Sequence, residues 1–109
     1  MWKDDNDKIN EVLFKLNEAK FPAKCPICGE NDYHMYMVRF SENDKHGSGW
    51  VWCSNCKNYS HYQYLIPENW KNMQSIDLDL LEEEPSYLET QKNEIDVYIN
   101  EFLAQKCTI

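Results

Sequence analysis

Two Cys-x-x-Cys pairs constrain the fold of this chain more than any other feature of its sequence. The first is Cys25-Pro26-Ile27-Cys28 and the second is Cys53-Ser54-Asn55-Cys56, with 24 residues between them. Two residues between paired thiolates allow a tight turn to direct both sulfurs toward one tetrahedral ion. Two such turns joined by a hairpin have the ligand arrangement of a zinc ribbon. The predicted metal ligands are Cys25, Cys28, Cys53 and Cys56.

The predicted metal is structural, because four cysteines fill a tetrahedral site and leave no position for water or substrate. We therefore expect one Zn²⁺ per chain. Iron held by four thiolates, as in rubredoxin, uses the same ligands and stays open as an alternative with an electron-transfer role. The second pair lacks the Pro and Gly that rubredoxins place there, which favours zinc. The fifth cysteine, Cys107, is expected to be an idle thiol.

The residues that follow each pair also bear on the site. Gly29 follows the first pair, where a glycine lets a backbone N–H approach a sulfur. The second pair is followed by Lys57-Asn58. Asn is among the residues other than Gly that best tolerate a positive φ, so Asn58 is expected to adopt that conformation.

The hydrophobic pattern around the cysteines predicts an α+β fold. Three segments rich in aromatic and branched residues, 33–40, 49–53 and 59–66, predict a small antiparallel three-stranded sheet, with residues 41–48 as a polar loop. An N-terminal helix is predicted from four apolar residues at spacings of three and four, and Phe21-Pro22 should end it. These apolar residues are Ile9, Val12, Leu13 and Leu16.

The C-terminal third is predicted to enter a second flanking helix. Asp77-Leu78-Asp79-Leu80-Leu81 alternates briefly, which indicates an edge strand or an extended linker, and Glu82 to Ser86 has the acids and proline of a helix start. The apolar face of that helix would consist of Leu88, Ile95, Ile99, Phe102 and Leu103. We expect one domain over residues 1–109, with a helix at 1–22, the ribbon at 23–72, and the acidic segment and helix at 73–109.

The negative charge is concentrated at one end of the chain. The formal net charge is −8, and residues 74–109 contain nine acidic residues against only Lys92 and Lys106. Such a segment either keeps the protein in solution or forms an acidic face for a basic partner. The charge disfavours nucleic acid, whose binding depends on Lys and Arg. The longest apolar run, Trp50 to Cys53, is too short to span a bilayer.

The candidate partner-binding residues combine aromatic and acidic side chains. Trp50 and Trp52 lie two apart on a predicted strand and share a face, where they either pack against a helix or stack on a ligand such as a nucleic-acid base. Tyr and Trp are also favoured at protein interfaces. The candidates are Trp50, Trp52, Tyr62, Asp77, Asp79, Glu82, Glu83 and Glu94.

No catalytic constellation is recognisable in the sequence, so we expect a protein that is not an enzyme. It has no nucleophile motif and no glycine loop for phosphate. With four cysteines available, His34, His46 and His61 are expected to be ordinary strand or loop residues. The chain starts without an apolar segment of signal-peptide length, which favours the cytoplasm, where thiols stay reduced.

The segment from Gly47 to Cys56, preceded by Cys25 to Gly29 and followed by Pro67 to Trp70, resembles a group of small bacterial zinc-ribbon proteins. That group is associated with immunity proteins of polymorphic and contact-dependent toxin systems. The resemblance covers residues 25–72. It implies a small cytosolic protein, often acidic, that neutralises a secreted toxin domain by binding it.

Two functional hypotheses follow from the sequence. The first is a non-enzymatic protein-binding module with a structural zinc, an immunity protein whose partner would be a basic toxin domain such as a nuclease. The second is a zinc ribbon associated with nucleic acid or transcription, which the metal motif favours and the low number of basic residues disfavours.

Overall fold

The computed structural model describes residues 2–4, 8–10, 20–41, 43 and 45–106. Within these residues an N-terminal segment with a 3-10 turn precedes three strands, and helices follow. The elements are β1 (Tyr33–Arg39), β2 (His46–Cys53), β3 (Tyr59–Leu65), a 3-10 helix (Leu78–Leu80), α1 (Ser86–Thr90) and α2 (Lys92–Lys106). The predicted α+β class with an antiparallel three-stranded sheet is confirmed.

The sheet has the order β1-β2-β3, with both pairs antiparallel. The strand β2 begins at His46, three residues before the predicted start at Gly49. The extension follows from the central position of β2. Gly47, for example, pairs with Arg39 on one side and with Tyr64 on the other. Because two neighbours supply hydrogen bonds, the ladder continues through polar residues that alone would favour a loop.

Both faces of the sheet are covered. Tyr33 to Val38 are all buried, although alternate residues of a strand point to opposite faces. On one face the Tyr33 hydroxyl donates to the Ile9 carbonyl at 2.7 Å, and the Tyr33 ring stacks on Phe21. On the other face Tyr36 packs edge-on against Trp70. This double burial explains why β1 is apolar or aromatic at nearly every position.

The C-terminal segment forms two helices where one was predicted. All five apolar positions expected on the helix face are buried, so that part of the prediction is confirmed. The chain breaks at Gln91, whose N–H bonds to the Leu88 carbonyl at 3.0 Å, while its own carbonyl accepts the Ile95 N–H that starts α2. One residue therefore ends α1 and begins α2.

The segment 77–81 is neither an edge strand nor an extended linker, and that prediction is wrong. It forms a 3-10 helix, because the Asp77 carboxylate caps it by accepting the Asp79 N–H at 3.0 Å. The Tyr87 hydroxyl accepts the Asp77 N–H at 2.9 Å and holds the cap against α1. Local side-chain bonds of this kind compete with an extended conformation.

The N-terminal segment contacts both the sheet and α2. Lys8 to Asn10 form a 3-10 turn instead of a turn of α-helix, and residues 5–7 and 11–19 of the predicted helix lie outside the described residues. Lys3 adds a parallel bridge to Asn58, with its N–H bonded to the Lys57 carbonyl at 2.8 Å. Asn100 of α2 exchanges two 2.8 Å hydrogen bonds with the Phe21 backbone.

Within the described part of the chain, every helix is too short or too polar to cross a bilayer.

Candidate metal centre

The four predicted ligands meet at one place. Their sulfur atoms all lie within 4.8 Å of one another. The Cys25 and Cys56 sulfurs are 3.7 Å apart, and those of Cys28 and Cys53 are 3.6 Å apart. A regular tetrahedron of thiolates around Zn²⁺, with bonds of about 2.3 Å, has sulfur–sulfur edges of roughly 3.8 Å. The cluster therefore has the size that one tetrahedral ion requires.

The two Cys-x-x-Cys turns have the same backbone hydrogen bonds. The residue after each pair, Gly29 or Lys57, donates its N–H to the carbonyl of the first cysteine at 3.0 Å. The first cysteine in turn donates to the carbonyl five residues later, at Glu30 or Asn58. These shared bonds give both turns the same shape. Each turn directs two sulfurs toward the same point at the end of the sheet.

Each turn contains one residue in the left-handed region, and in the second turn it is not the expected one. Gly29 has φ 81° and Lys57 has φ 65°. The prediction of Asn58 at this position is wrong, because the turn closes at the residue directly after the second cysteine. Asn58 instead donates its side-chain amide to the Cys56 sulfur at 3.1 Å.

Hydrogen-bond donors surround the sulfurs. The Ile27 N–H lies 3.3 Å from the Cys25 sulfur, and the Asn55 amide lies 3.5 Å from that of Cys28. The Asn58 amide contacts the Cys56 sulfur, and backbone N–H groups of Asn55 and Cys56 bond to the Cys53 sulfur. Four thiolates and one Zn²⁺ have a net charge of −2, and these donors offset part of it.

Burial and hydrogen bonds shift the pKa values of Cys25, Cys28 and Cys53 in different directions. Burial raises the pKa of the Cys25 and Cys53 thiols above their usual range. Burial also acts on the more exposed Cys28, but hydrogen bonds from the Asn55 amide and the Glu30 backbone lower its pKa to about 7. An incoming ion must displace the protons of Cys25 and Cys53, so metal affinity should increase with pH.

A buried polar network that was not predicted from the sequence lies beside the second turn. The His34 Nδ1 contacts both carboxylate oxygens of Asp96, at 2.8 and 2.9 Å, and its Nε2 lies 3.0 Å from the Ser54 hydroxyl. The Ser54 hydroxyl donates to the Glu89 carboxylate and accepts from the Lys92 ammonium at 3.3 Å. The network joins the second cysteine turn to α1 and α2.

The order serine, histidine, carboxylate is also that of an acyl-transfer triad. Here the Ser54 hydroxyl donates to the Glu89 carboxylate, whereas a triad serine donates to its histidine. His34 is also only 1% exposed. We interpret the network as a structural connection, and no sequence pattern links His34 to Asp96, which is 62 positions away.

The tryptophans predicted as partner contacts lie in the core. Trp50 is 4% exposed and Trp52 is 0% exposed. Their indole N–H groups are also engaged, that of Trp50 with the Glu82 carbonyl at 3.0 Å and that of Trp52 with the Glu89 carboxylate at 3.2 Å. The sequence also allowed these tryptophans to pack against a helix. Trp52 does so through Glu89 of α1, whereas Trp50 packs under the acidic segment that contains Glu82. Trp52 is therefore fully enclosed, and Trp50 keeps only a small exposed part.

The remaining candidates are distributed over the surface. Tyr62 is half-buried beside Gly49, where an added Cβ would lie 2.8 Å from the tyrosine ring. Glu94 is exposed in the first turn of α2. The other acidic candidates are exposed within one segment, at Asp77, Asp79, Glu82 and Glu83.

No family model, curated protein or solved structure matches the chain. Four clustered cysteines at the end of a small antiparallel sheet are consistent with a zinc-ribbon-like module with a single metal site.

Proposed function

We propose that this chain is a non-enzymatic protein-binding module whose fold is held by one structural Zn²⁺. The observation that carries the proposal is the closed set of four sulfur atoms within 4.8 Å. The ion supplies a cross-link when bound. The residues of the two turns hold it, and the donors around the sulfurs balance its ligands' charge. A site closed by four protein ligands supports a fold and not a reaction.

A protein with a basic surface is the partner that the charge distribution favours. The exposed acids of residues 77–84 form a local negative surface, and electrostatic complementarity of this kind steers association. The resemblance to immunity proteins makes a basic toxin domain the first partner class to test. The nucleic-acid alternative loses its stacking platform because Trp50 and Trp52 are buried.

Metal analysis tests the structural part of the proposal. Elemental analysis of the purified chain should find one zinc per chain, and Cys53→Ser should lose it. Ser54→Ala is the matched control, because it alters the same turn without removing a ligand. A coloured, redox-active protein would assign iron, and a metal-free folded protein would refute the structural site.

Co-expression tests the partner. The product of the neighbouring gene should form a complex with this chain that survives size-exclusion chromatography. If that product is toxic, the chain should also restore growth. A toxic neighbour that neither binds nor is neutralised would contradict the immunity hypothesis.

A further inference from the structure

A groove opens on the sheet face that carries Trp50, at the end away from the cysteines. Its volume is about 350 Å³. One wall is formed by the ends of the strands, and the other by the 3-10 helix and the acidic residues that follow it. The lining includes Phe40, Trp50, His61, Leu78, Glu82 and Glu83.

The floor of the groove is held in place by two contacts of Trp50. Its ring stacks on His61, with centroids 4.5 Å apart and planes 7° from parallel. Its indole N–H donates to the Glu82 carbonyl at 3.0 Å, which attaches the acidic wall to the central strand. The groove is therefore part of the packed structure and needs little ordering when a ligand binds.

Apolar side chains at the rim are unusually exposed. Phe40 is 60% exposed and Leu78 49%, and Leu80, at 51%, lies in the same 3-10 helix as Leu78. Leu65 is 66% exposed and lies on the same sheet face as Trp50. It pairs with His46, and His46 and Trp50 are four residues apart on β2, so their side chains point to the same face. Clustered exposed apolar side chains with a polar margin are typical of interaction surfaces.

The wall chemistry specifies a cationic occupant. Residues 77–84 contain five acidic side chains, and residues 77–91 contain no lysine or arginine. Arg39 lines the opposite side, but its guanidinium donates to the carbonyls of Pro67 and Trp70. Its charge is thereby directed toward the backbone.

We propose that this groove is the docking site for a lysine- or arginine-rich segment of a protein partner, which inserts an apolar side chain between Phe40 and Leu78. The inference rests on the proposed protein-binding function and names the surface that serves it. Acids on one wall attract the basic segment, and the apolar rim contacts the inserted side chain.

A peptide titration of the zinc-loaded full chain tests the site. The probe is a lysine-rich peptide with one central leucine, and its control is the same peptide with glutamate in place of lysine. In amide NMR spectra, the lysine peptide should shift signals at Phe40, Leu78 and the Trp50 indole, and the glutamate peptide should shift none. Shifts centred on α2 would refute the groove.

Matched variants separate the groove from general charge. Phe40→Ser or Leu78→Ser should weaken peptide binding about tenfold, whereas Val97→Ser, which removes a 59% exposed apolar side chain from α2, should not. The double variant Glu82→Gln and Glu83→Gln should weaken binding roughly fivefold at low salt, and Glu94→Gln less than twofold. Equal effects of Glu82/Glu83 and Glu94 variants would refute a local site.

The outcomes for the groove and for the proposed function are distinct. If the co-expressed partner binds and Phe40→Ser has no effect on that complex, the groove is refuted while the function stands. If the lysine peptide binds with the predicted variant pattern but no protein partner does, the groove stands and the proposed function fails.

A dimer that Phe40→Ser dissociates would assign the groove to a second copy of this chain, and displacement of the peptide by single-stranded DNA would assign it to nucleic acid. Either result would overturn the proposal.

Discussion

At the scale of single residues, the second cysteine turn contains a conformational cost that the first avoids. Gly29 and Lys57 occupy equivalent positions with positive φ. A glycine adopts this conformation without steric cost, whereas a side chain with a Cβ is disfavoured there. Lys57 gains a partial compensation, because its ammonium lies 4.9 Å from the centre of the Trp2 ring.

Lys57→Gly should therefore be more stable than Lys57→Ala by about 1 kcal/mol, because both variants lose the ammonium and only alanine keeps the Cβ. Thermal unfolding of the zinc-loaded proteins measures the difference. Gly29→Ala should lower stability by a similar amount. Equal stability of the two Lys57 variants would show that the left-handed conformation is not the cause.

A second residue-scale prediction concerns alkaline pH. Burial raises the pKa of Tyr36 to about 12, and its hydroxyl accepts the Met73 N–H at 2.9 Å. In the unfolded chain tyrosine loses its proton near pH 10. Between about pH 10 and 12 the unfolded state therefore binds fewer protons, and the free energy of unfolding should fall as pH rises.

The measurement is urea unfolding at several alkaline pH values. Tyr36→Phe loses one hydrogen bond at every pH, but it should also flatten the decline by up to about 2 kcal/mol over this range. The slope thus separates the titration from the lost bond. Identical slopes for both proteins would contradict the assignment to Tyr36.

At the scale of elements, the structure depends on how α2 is attached to the sheet. Asp96 of α2 is buried and bonds to His34 of β1. Ile95 and Ile99 of the same helix are buried in the core. The break at Gln91 lets α1 and α2 approach the sheet separately, so that Glu89 and Asp96 both reach the network beside the cysteine turn.

Asp96→Ala should destabilise the protein by about 3 kcal/mol, because it leaves the buried His34 ring without its acceptor. Asp96→Asn keeps an amide oxygen and should lose less. Glu94→Ala, on the exposed side of the same helix, should change stability by about 0.5 kcal/mol or less. Urea unfolding with saturating zinc measures all three, and equal losses at positions 94 and 96 would contradict the role of the network.

At the scale of the whole molecule, the metal site closes one end of the sheet. Its ligands come from the chain before β1, from the last residue of β2 and from the turn that follows it, so that one ion joins segments that are distant in sequence. The three-stranded sheet is small, and an ion that joins these segments adds to the stability of its packed faces.

Removal of the metal should therefore unfold the sheet, since structural zinc contributes about 10–16 kcal/mol in small metal-binding peptides. Circular dichroism and the dispersion of amide NMR signals should both be lost on adding excess chelator and regained with zinc. Chelator saturated with zinc beforehand serves as the control. Unchanged spectra after metal loss has been verified would refute this dependence.

The local features of the chain were predictable because they depend on near neighbours in sequence. The spacing within each Cys-x-x-Cys pair sets the turn that directs two sulfurs toward one ion, and runs of aromatic and branched residues indicate the strands. Helical spacing likewise identified the buried positions of the C-terminal third, such as Leu88 and Ile99. These predictions agree with the structure.

Packing between distant segments decided the remaining features. The contacts of His34 with Asp96 and of Trp50 with the Glu82 carbonyl join residues 62 and 32 positions apart, and neither follows from a local pattern. The groove between Phe40 and Leu78 arises in the same way, because it exists only once the acidic segment lies against the sheet. Periodicity identifies which side chains are apolar, but only the folded chain determines which of them stay exposed.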